Sequence, residues 1–536
     1  MSGSTTSTPR SPSPPLADLA PHRRLLLGVV AAGLVLAALD TYVVVTLLPR
    51  MMNDIGVSLD RPEQASPVIS GFLLGYIVAL PVLGAVSDAY GRGRVYLACL
   101  VLFALGSLVT ATAGLAGSVD NPGPNLWWLV AGRVVQGLGG GALVPVAMAL
   151  AADLYPSGAR AQALGVVAGL QETGSLVGPL YGALLAGALG SLGGWRAVFW
   201  VNLPLVALCV AGLVVAGRRA PAVLAPPVAG ERSRVDWLGG ALLALGLGMG
   251  LVALYPDDPS RHAVGPLFVP LGVGALLALA MFLWRQARRP GSLIPAALMR
   301  DPIFLGAALT NLLVGVGLMV ALVDIPVFAQ GVFRLDELRA ALLLAQFMLA
   351  IPFGAVAGGW LASRAGYRLT AAGGLVLAAA AFFEMSAWDA AEIGRRVFGL
   401  PPTTITLLLL GLGFGVVIAP VAAAILDRSG RREHGLASSL VVLARTVGML
   451  LGLSGLAAFG IRRFNQLAAH GPAVPINGGA SVIEAAIKAR VAAALVQEYH
   501  EVFTIAAAIC LAAAAIAAVS LARPRDLAAV PLTVSA

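Results

Sequence analysis

GLQETGSLVGPLYG, residues 169–182, lies inside an apolar run from Ala161 to Gly190 and carries a single carboxylate, Glu172. If that run is a helix crossing a bilayer, the acid sits roughly 16 Å from its starting end by helical rise. That is about the midplane of a hydrocarbon core roughly 30 Å thick. An ionisable group at such depth costs roughly 3 kcal/mol or more unless it is paired or hydrated, so it marks a proton relay or a substrate path. The plainer alternative is a structural ion pair buried between helices.

The rest of the composition agrees with a membrane setting. Hydrophobic residues make up 59% of the 536, charged residues 11%, and the mean hydropathy is +0.89, which no soluble core uses. The net charge of +9 forms no continuous stripe of the kind nucleic acid needs. Arginines instead come as short clusters between apolar runs: Arg92/Arg94, Arg218/Arg219 with Arg232/Arg234, Arg285/Arg288/Arg289 and Arg428/Arg431/Arg432. Such clusters mark loops on the cytoplasmic side. Cys99, Cys209 and Cys510 stand far apart inside apolar runs, with no metal or disulfide spacing. With neither a GxxxxGK[ST] loop nor a histidine cluster, the chain carries no signature of enzyme chemistry, cofactor or metal.

Fourteen apolar runs reach spanning length, which predicts an all-helical polytopic membrane protein with 14 transmembrane helices. An even count, with Arg23 and Arg24 ahead of the first run, places both termini in the cytoplasm. The Ser-, Thr- and Pro-rich residues 1–24 are expected to be a disordered tail and 523–536 a second tail. A weak repeat divides the remainder. GAVSDAYGRGR at 84–94 aligns with GWLASRAGYR at 359–368, setting Gly84 against Gly359, Asp88 against Ser363 and Gly91 against Gly366. The implied plan is 6 + 2 + 6: a six-helix bundle at 25–217, a two-helix insertion with flanking loops at 218–302, and a second six-helix bundle at 303–522.

In the loop at 84–94 glycines permit a tight turn, while Asp88, Arg92 and Arg94 can tie it to neighbouring helix ends by charge-assisted bonds. Arg133 is the one charge in LVAGRVVQGLGGGALVPV, and Asp40 in LAALDTYVVVTLLP falls at a similar depth, so the two can pair. Arg445 in LVVLARTVGML reaches nearly the level of Glu172 from the other half. An acid and an arginine at one depth in opposite halves can form a salt bridge that closes one state and breaks when the acid takes a proton. Asp324 and Glu384 lie near the outer ends of their runs, where interfacial water is the plainer account.

Together these stretches resemble the major facilitator superfamily. The loop with Gly84, Asp88, Gly91 and Arg92 is similar to its G-x-x-x-D-x-x-G-R signature, which latches two halves in one state; the second copy lacks the acid, implying an asymmetric latch. Gly169, Gly178, Pro179 and Gly182 match the G-x8-G-P-x-x-G pattern of the fourteen-helix drug and proton antiporter branch. In that branch Asp40 and Arg133 fall on the first-helix acid and the fourth-helix arginine, the latter implicated in proton coupling. ALDTYVVV, WRAVFWVNLPL, RRFNQLAA and EVFTIAAAIC narrow the resemblance to mycobacterial triacylglycerol exporters within the superfamily. That resemblance implies export of triacylglycerol or a related lipid, driven by the proton motive force without a cofactor, in the inner membrane, with a periplasmic lipid-carrying lipoprotein as partner. A broad drug and proton antiporter, or a membrane scaffold that recruits the lipoprotein without transporting, are the alternatives.

The last two runs are too long for a bilayer. Residues 462–500 are expected to stand in the periplasm as a helical extension, with Ile483, Ile487, Val491 and Leu495 forming an apolar stripe every fourth residue. Phe464 and Leu467 would cover it in a hairpin; a functional reading adds an apolar slope out of the bilayer or a docking face. WDAAEIGRRVFGLPP at 388–402 is expected to be a small hairpin beside it.

Overall fold

The computed structural model describes residues 23–57, 66–115, 122–188, 194–219, 235–254, 264–289, 293–397, 399–430, 433–470 and 480–521. Among these, the elements are helices: α1 (Arg23–Ile55), α2 (Ser66–Tyr90), α3 (Arg92–Ala111), α4 (Pro122–Leu154), α5 (Ser157–Ala188), α6 (Arg196–Arg219), α7 (Trp237–Leu254), α8 (Phe268–Arg288), a short α9 (Ala296–Arg300), α10 (Pro302–Gly331), α11 (Glu337–Ala365), α12 (Tyr367–Met385), α13 (Pro402–Arg428), α14 (His434–His470) and α15 (Ala480–Ser520). The expected tails lie outside the described residues, except that Arg23 and Arg24 already open α1.

Twelve of the helices are long and apolar enough to cross a membrane by length and composition, against the fourteen spans expected. The remaining two long helices are α1 and α5. Helix α1 is 33 residues long, with Asp40 inside its apolar sequence; in α5, Arg160, Gln162 and the Gln171-Glu172-Thr173 triplet dilute the run.

Local chemistry sets the helix ends. Asp301 caps α10, accepting from the Ile303 and Phe304 amides at 2.8 and 3.2 Å, with Pro302 preset in the first turn. Asp336 caps α11 through the Arg339 amide. The aligned Gly91 and Gly366 both turn the chain between two helices at positive φ, 98° and 87°, where a side chain is strained.

Packing follows the repeat. In the first set α1 packs on α5, α2 on α4, α3 on α4 and α6; in the second, α10 packs on α14, α11 on α13, α12 on α13 and α15. Helices α7 and α8 pack on each other, with α7 against α2. Asp236 fixes that pair: Arg285 Nη2 donates to its Oδ1 at 2.7 Å and the Gly239 amide at 3.1 Å. Although burial raises the Asp236 carboxyl, these bonds outweigh it and hold the group below the usual aspartate range.

Helices α14 and α15 run 37 and 41 residues, about 55 and 60 Å at 1.5 Å per residue. At their junction Arg463 forks onto Glu501, with both N···O distances 2.7 Å. Arg490 donates to the carbonyls of Ala468 and Ala469, filling orphan acceptors at the end of α14. The expected stripe is turned otherwise than the sequence suggests. Ile487 and Val491 are 47% and 38% exposed, Ile483 is half-buried, and Leu495 alone joins the core, near Gly331. The α15 face toward α14 carries Arg490 and Ala494 instead, roughly a quarter-turn away by 3.6 residues per turn. The Arg463–Glu501 fork and the Arg490 cap set that rotation; Phe464 and Leu467 are half-buried on α14. Within 388–402, a 3-10 turn at Glu392–Gly394 precedes an isolated antiparallel bridge between Val397 and Leu400.

Candidate functional site

The charges singled out above fall, among the described residues, into three polar assemblies, each joining elements that are distant in sequence. The deepest belongs to the first set of helices. Arg133 of α4 donates through Nη1 to Asp40 Oδ2 of α1 at 2.6 Å and to Gln136 Oε1 at 2.7 Å. Asn202 of α6 donates to the other Asp40 oxygen at 3.0 Å, and Gln136 and Asn202 share Ser107 Oγ of α3 at 2.9 and 3.3 Å. The Arg133 guanidinium also lies 4.2 Å from the Phe72 ring centroid. Arg133 and Asp40 are only 1% and 2% exposed, a depth at which both charges need such partners. Gln136, Asn202 and Ser107 were not singled out from sequence. The available signals were Gln136 standing one turn after Arg133, and Asn202 as the polar residue within an apolar run.

The second assembly crosses between the two sets. Arg445 of α14 donates through Nη1 to Glu172 Oε1 of α5 at 3.3 Å, with side chains 14% and 19% exposed. The motif around Glu172 faces two neighbours. A Cβ on Gly169 would press on Pro352 and Val356 of α11, and one on Gly178 would collide with the Leu39 backbone of α1. Those glycines let α5 run close to both sets, with Glu172 between the contacts. Pro179 is accommodated inside the continuous helix, and Gly182 follows it.

The third assembly closes one end of the molecule. Asp88 accepts from the Gly435 and Leu436 amides at the start of α14, both at 2.8 Å, and from Arg92 Nη2 at 3.1 Å. Arg92 also pairs with Asp153 and donates to the Ala149 carbonyl at 3.2 Å. The His434 ring nitrogen Nδ1 lies 2.9 Å from the other Asp153 oxygen. Gly84 and Gly435 abut so closely that either Cβ would strike the facing backbone. Arg94 is exposed on α3.

Ser363 leaves the second copy of the loop without an acid of its own, and a carboxylate reaches that seam from another element. Asp427, at the end of α13, pairs with Arg160 of α5 and accepts from Tyr367 Oη at 2.6 Å. Ser363 itself takes a bond from Gln162 of α5 at 3.0 Å. Both copies of the loop therefore reach across to the other set. Inter-set packing pairs α2 and α4 with α14, and α5 with α11 and α13, whereas among the described residues α1 and α10 make no packing of that extent across the seam. This is a state closed at the latch end.

Asp88→Ala removes two charge-assisted caps and is expected to weaken the closed end by about 1–2 kcal/mol, a factor of about 5–30. Ser438, buried at that seam with its hydroxyl on the Pro145 carbonyl, reports it: alkylation of Ser438→Cys should quicken by that factor.

Glu384 is half-buried, and its carboxylate accepts from Thr406 Oγ1 and, at 3.3 Å, from Trp388 Nε1. Asp324 is half-buried and faces Glu498 of α15, which is 9% exposed. Among the described residues no group of three or more His, Cys, Asp or Glu could hold a metal ion.

Two repeated helical sets, joined by an interior ion pair and latched at one end, define a multi-pass membrane transporter. The chain belongs to the Major Facilitator Superfamily, whose family model matches residues 30–453. It is 40% identical over 497 residues to a probable triacylglyceride transporter of Mycobacterium bovis BCG, covering 91% of this chain and 93% of that one. A triacylglyceride transporter of Mycolicibacterium hassiacum is 40% identical over 517 residues, covering 94% and 93%. Among solved structures, the human organic anion transporter superposes with a TM-score of 0.59 at 17% identity, covering 94% of this chain and all of the other. An E. coli xylose transporter gives 0.53 at 14%, covering 92% and 98%. These likenesses carry the fold.

Proposed function

We propose that the protein is a proton-coupled exporter that moves triacylglycerol or a related lipid out of the inner membrane toward the periplasm by alternating access. The observation that carries this reading is the Arg445–Glu172 pair, an ion pair that bridges the two sets along the helices, away from the latch end. A bridge of that kind holds the halves in one state while the acid is charged. A proton on Glu172 removes the attraction and frees the halves to rock. The relatives' printed names supply the substrate class.

In this reading all fourteen long helices cross the membrane as 6 + 2 + 6, and the arginine-rich latch end and both termini face the cytoplasm. The state described is then outward-facing, so the Glu172 proton arrives from the periplasm and its uptake opens the cytoplasmic side. Asp40 and Arg133 keep a second charge pair in the first bundle for the same coupling. The outer ends of α14 and α15 project beyond the bilayer toward a lipid-carrying lipoprotein, and the energy comes from the proton motive force.

Proteoliposomes test this. Labelled triacylglycerol should leave the bilayer for an external lipid acceptor when a pH gradient is imposed and stop when the gradient is collapsed. Gradient-driven movement of cationic dyes with no lipid transfer would instead favour the drug antiporter reading, and lipid transfer indifferent to the gradient would overturn the coupling.

A further inference from the structure

The groove where α14 and α15 part company is built for an anion. It is a recess of about 420 Å³ whose polar lining is Arg463, Gln466, His470, Arg490 and Gln497, with no carboxylate among them. Both arginines are held in place from behind. Arg463 commits Nε and Nη2 to Glu501, leaving Nη1 with only Gln466 Oε1 at 3.5 Å. Arg490 commits Nε and Nη2 to the Ala468 and Ala469 carbonyls. A guanidinium has five N–H donors, so each retains uncommitted ones, already oriented, for a further acceptor.

The level and the flank identify the acceptor. Arg463 and Arg490 lie roughly 45 Å along their helices from the latch end, past the roughly 30 Å of hydrocarbon and at the depth of head groups. Beside the recess, on the neighbouring strip of α15, Ile487 and Val491 stand exposed. A free phosphate uses only the cations, whereas a phospholipid offers a phosphate to the recess and apolar surface to the strip. We propose that this recess is a phosphate-binding site whose occupant is the head group of an anionic phospholipid of the outer leaflet. The depth argument rests on the projecting helices of the exporter reading; the recess and its charges do not.

Native mass spectrometry of the full-length protein, titrated with phosphatidylglycerol or phosphatidylcholine, reads the site directly. Phosphatidylglycerol should bind at least tenfold more tightly. Gln466→Glu and Ala493→Glu, both at exposed positions lining the recess, should each remove most of that preference without lowering the melting temperature. Undiminished phosphatidylglycerol binding in both variants overturns the site. Displacement of the lipid by an excess of inorganic phosphate overturns the head-group assignment in favour of the free anion. Glu172→Gln should leave this binding unchanged, so failure of the exporter reading and failure of this site are separable.

Discussion

Glu172→Gln is expected to abolish the coupling of lipid efflux to a pH gradient while leaving the protein folded. Glutamine keeps the shape of the protonated acid but cannot carry the charge that faces Arg445. Breaking a fully buried pair costs about 3–5 kcal/mol. Here solvent reaches both side chains, so roughly 1–3 kcal/mol is the appropriate figure, or about 5–150-fold in the equilibrium between states. Gradient-driven efflux in proteoliposomes should fall by about that range, and the residual rate should no longer respond to external pH. Full retention of a pH-dependent rate would leave Glu172 as a structural partner of Arg445.

The second large effect falls on stability. Arg133→Met strands the Asp40 carboxylate in a site 2% exposed and also frees Gln136, so it should destabilise the protein by about 3–5 kcal/mol. Asp40→Asn leaves an uncompensated guanidinium at the same spot, although Asn202 and Phe72 still contact its surroundings. The combined variant Asp40→Leu with Arg133→Met should recover much of the loss, because neither charge is then left alone. Thermal or chemical unfolding of the three in one detergent checks this. Additive losses in the double variant would mean that the two residues act apart.

Much of this arrangement was legible in the chain because depth along a helix follows from counting residues. Glu172 and Arg445 were placed at one level, and so were Asp40 and Arg133, by rise alone. What counting does not give is azimuth, and the misses are of that kind. The stripe from Ile483 to Leu495 has helical spacing, yet it faces partly outward because the Arg463–Glu501 fork and the Arg490 cap rotate α15. Asp427 was overlooked as a latch acid because the aligned loop offers Ser363 at the matching place, and the carboxylate that does the work enters from the end of α13. Asn202 and Ser107 were missed for a related reason: a single neutral polar residue in an apolar run carries little signal until its partner is known. The α5 glycines belong to one sequence pattern, and they serve two packing faces, toward α11 at Gly169 and α1 at Gly178.

The pair between Glu172 and Arg445 is the claim on which the transport cycle depends. Spin labels at the exposed positions Tyr90 and Leu369, one in each half at the latch end, report whether that end is shut. Distances recorded by pulsed electron resonance across a pH series should lengthen as the pH falls in the native protein, and in Glu172→Gln they should be long at every pH. A variant that still opens and closes with pH as the native protein does would contradict the account.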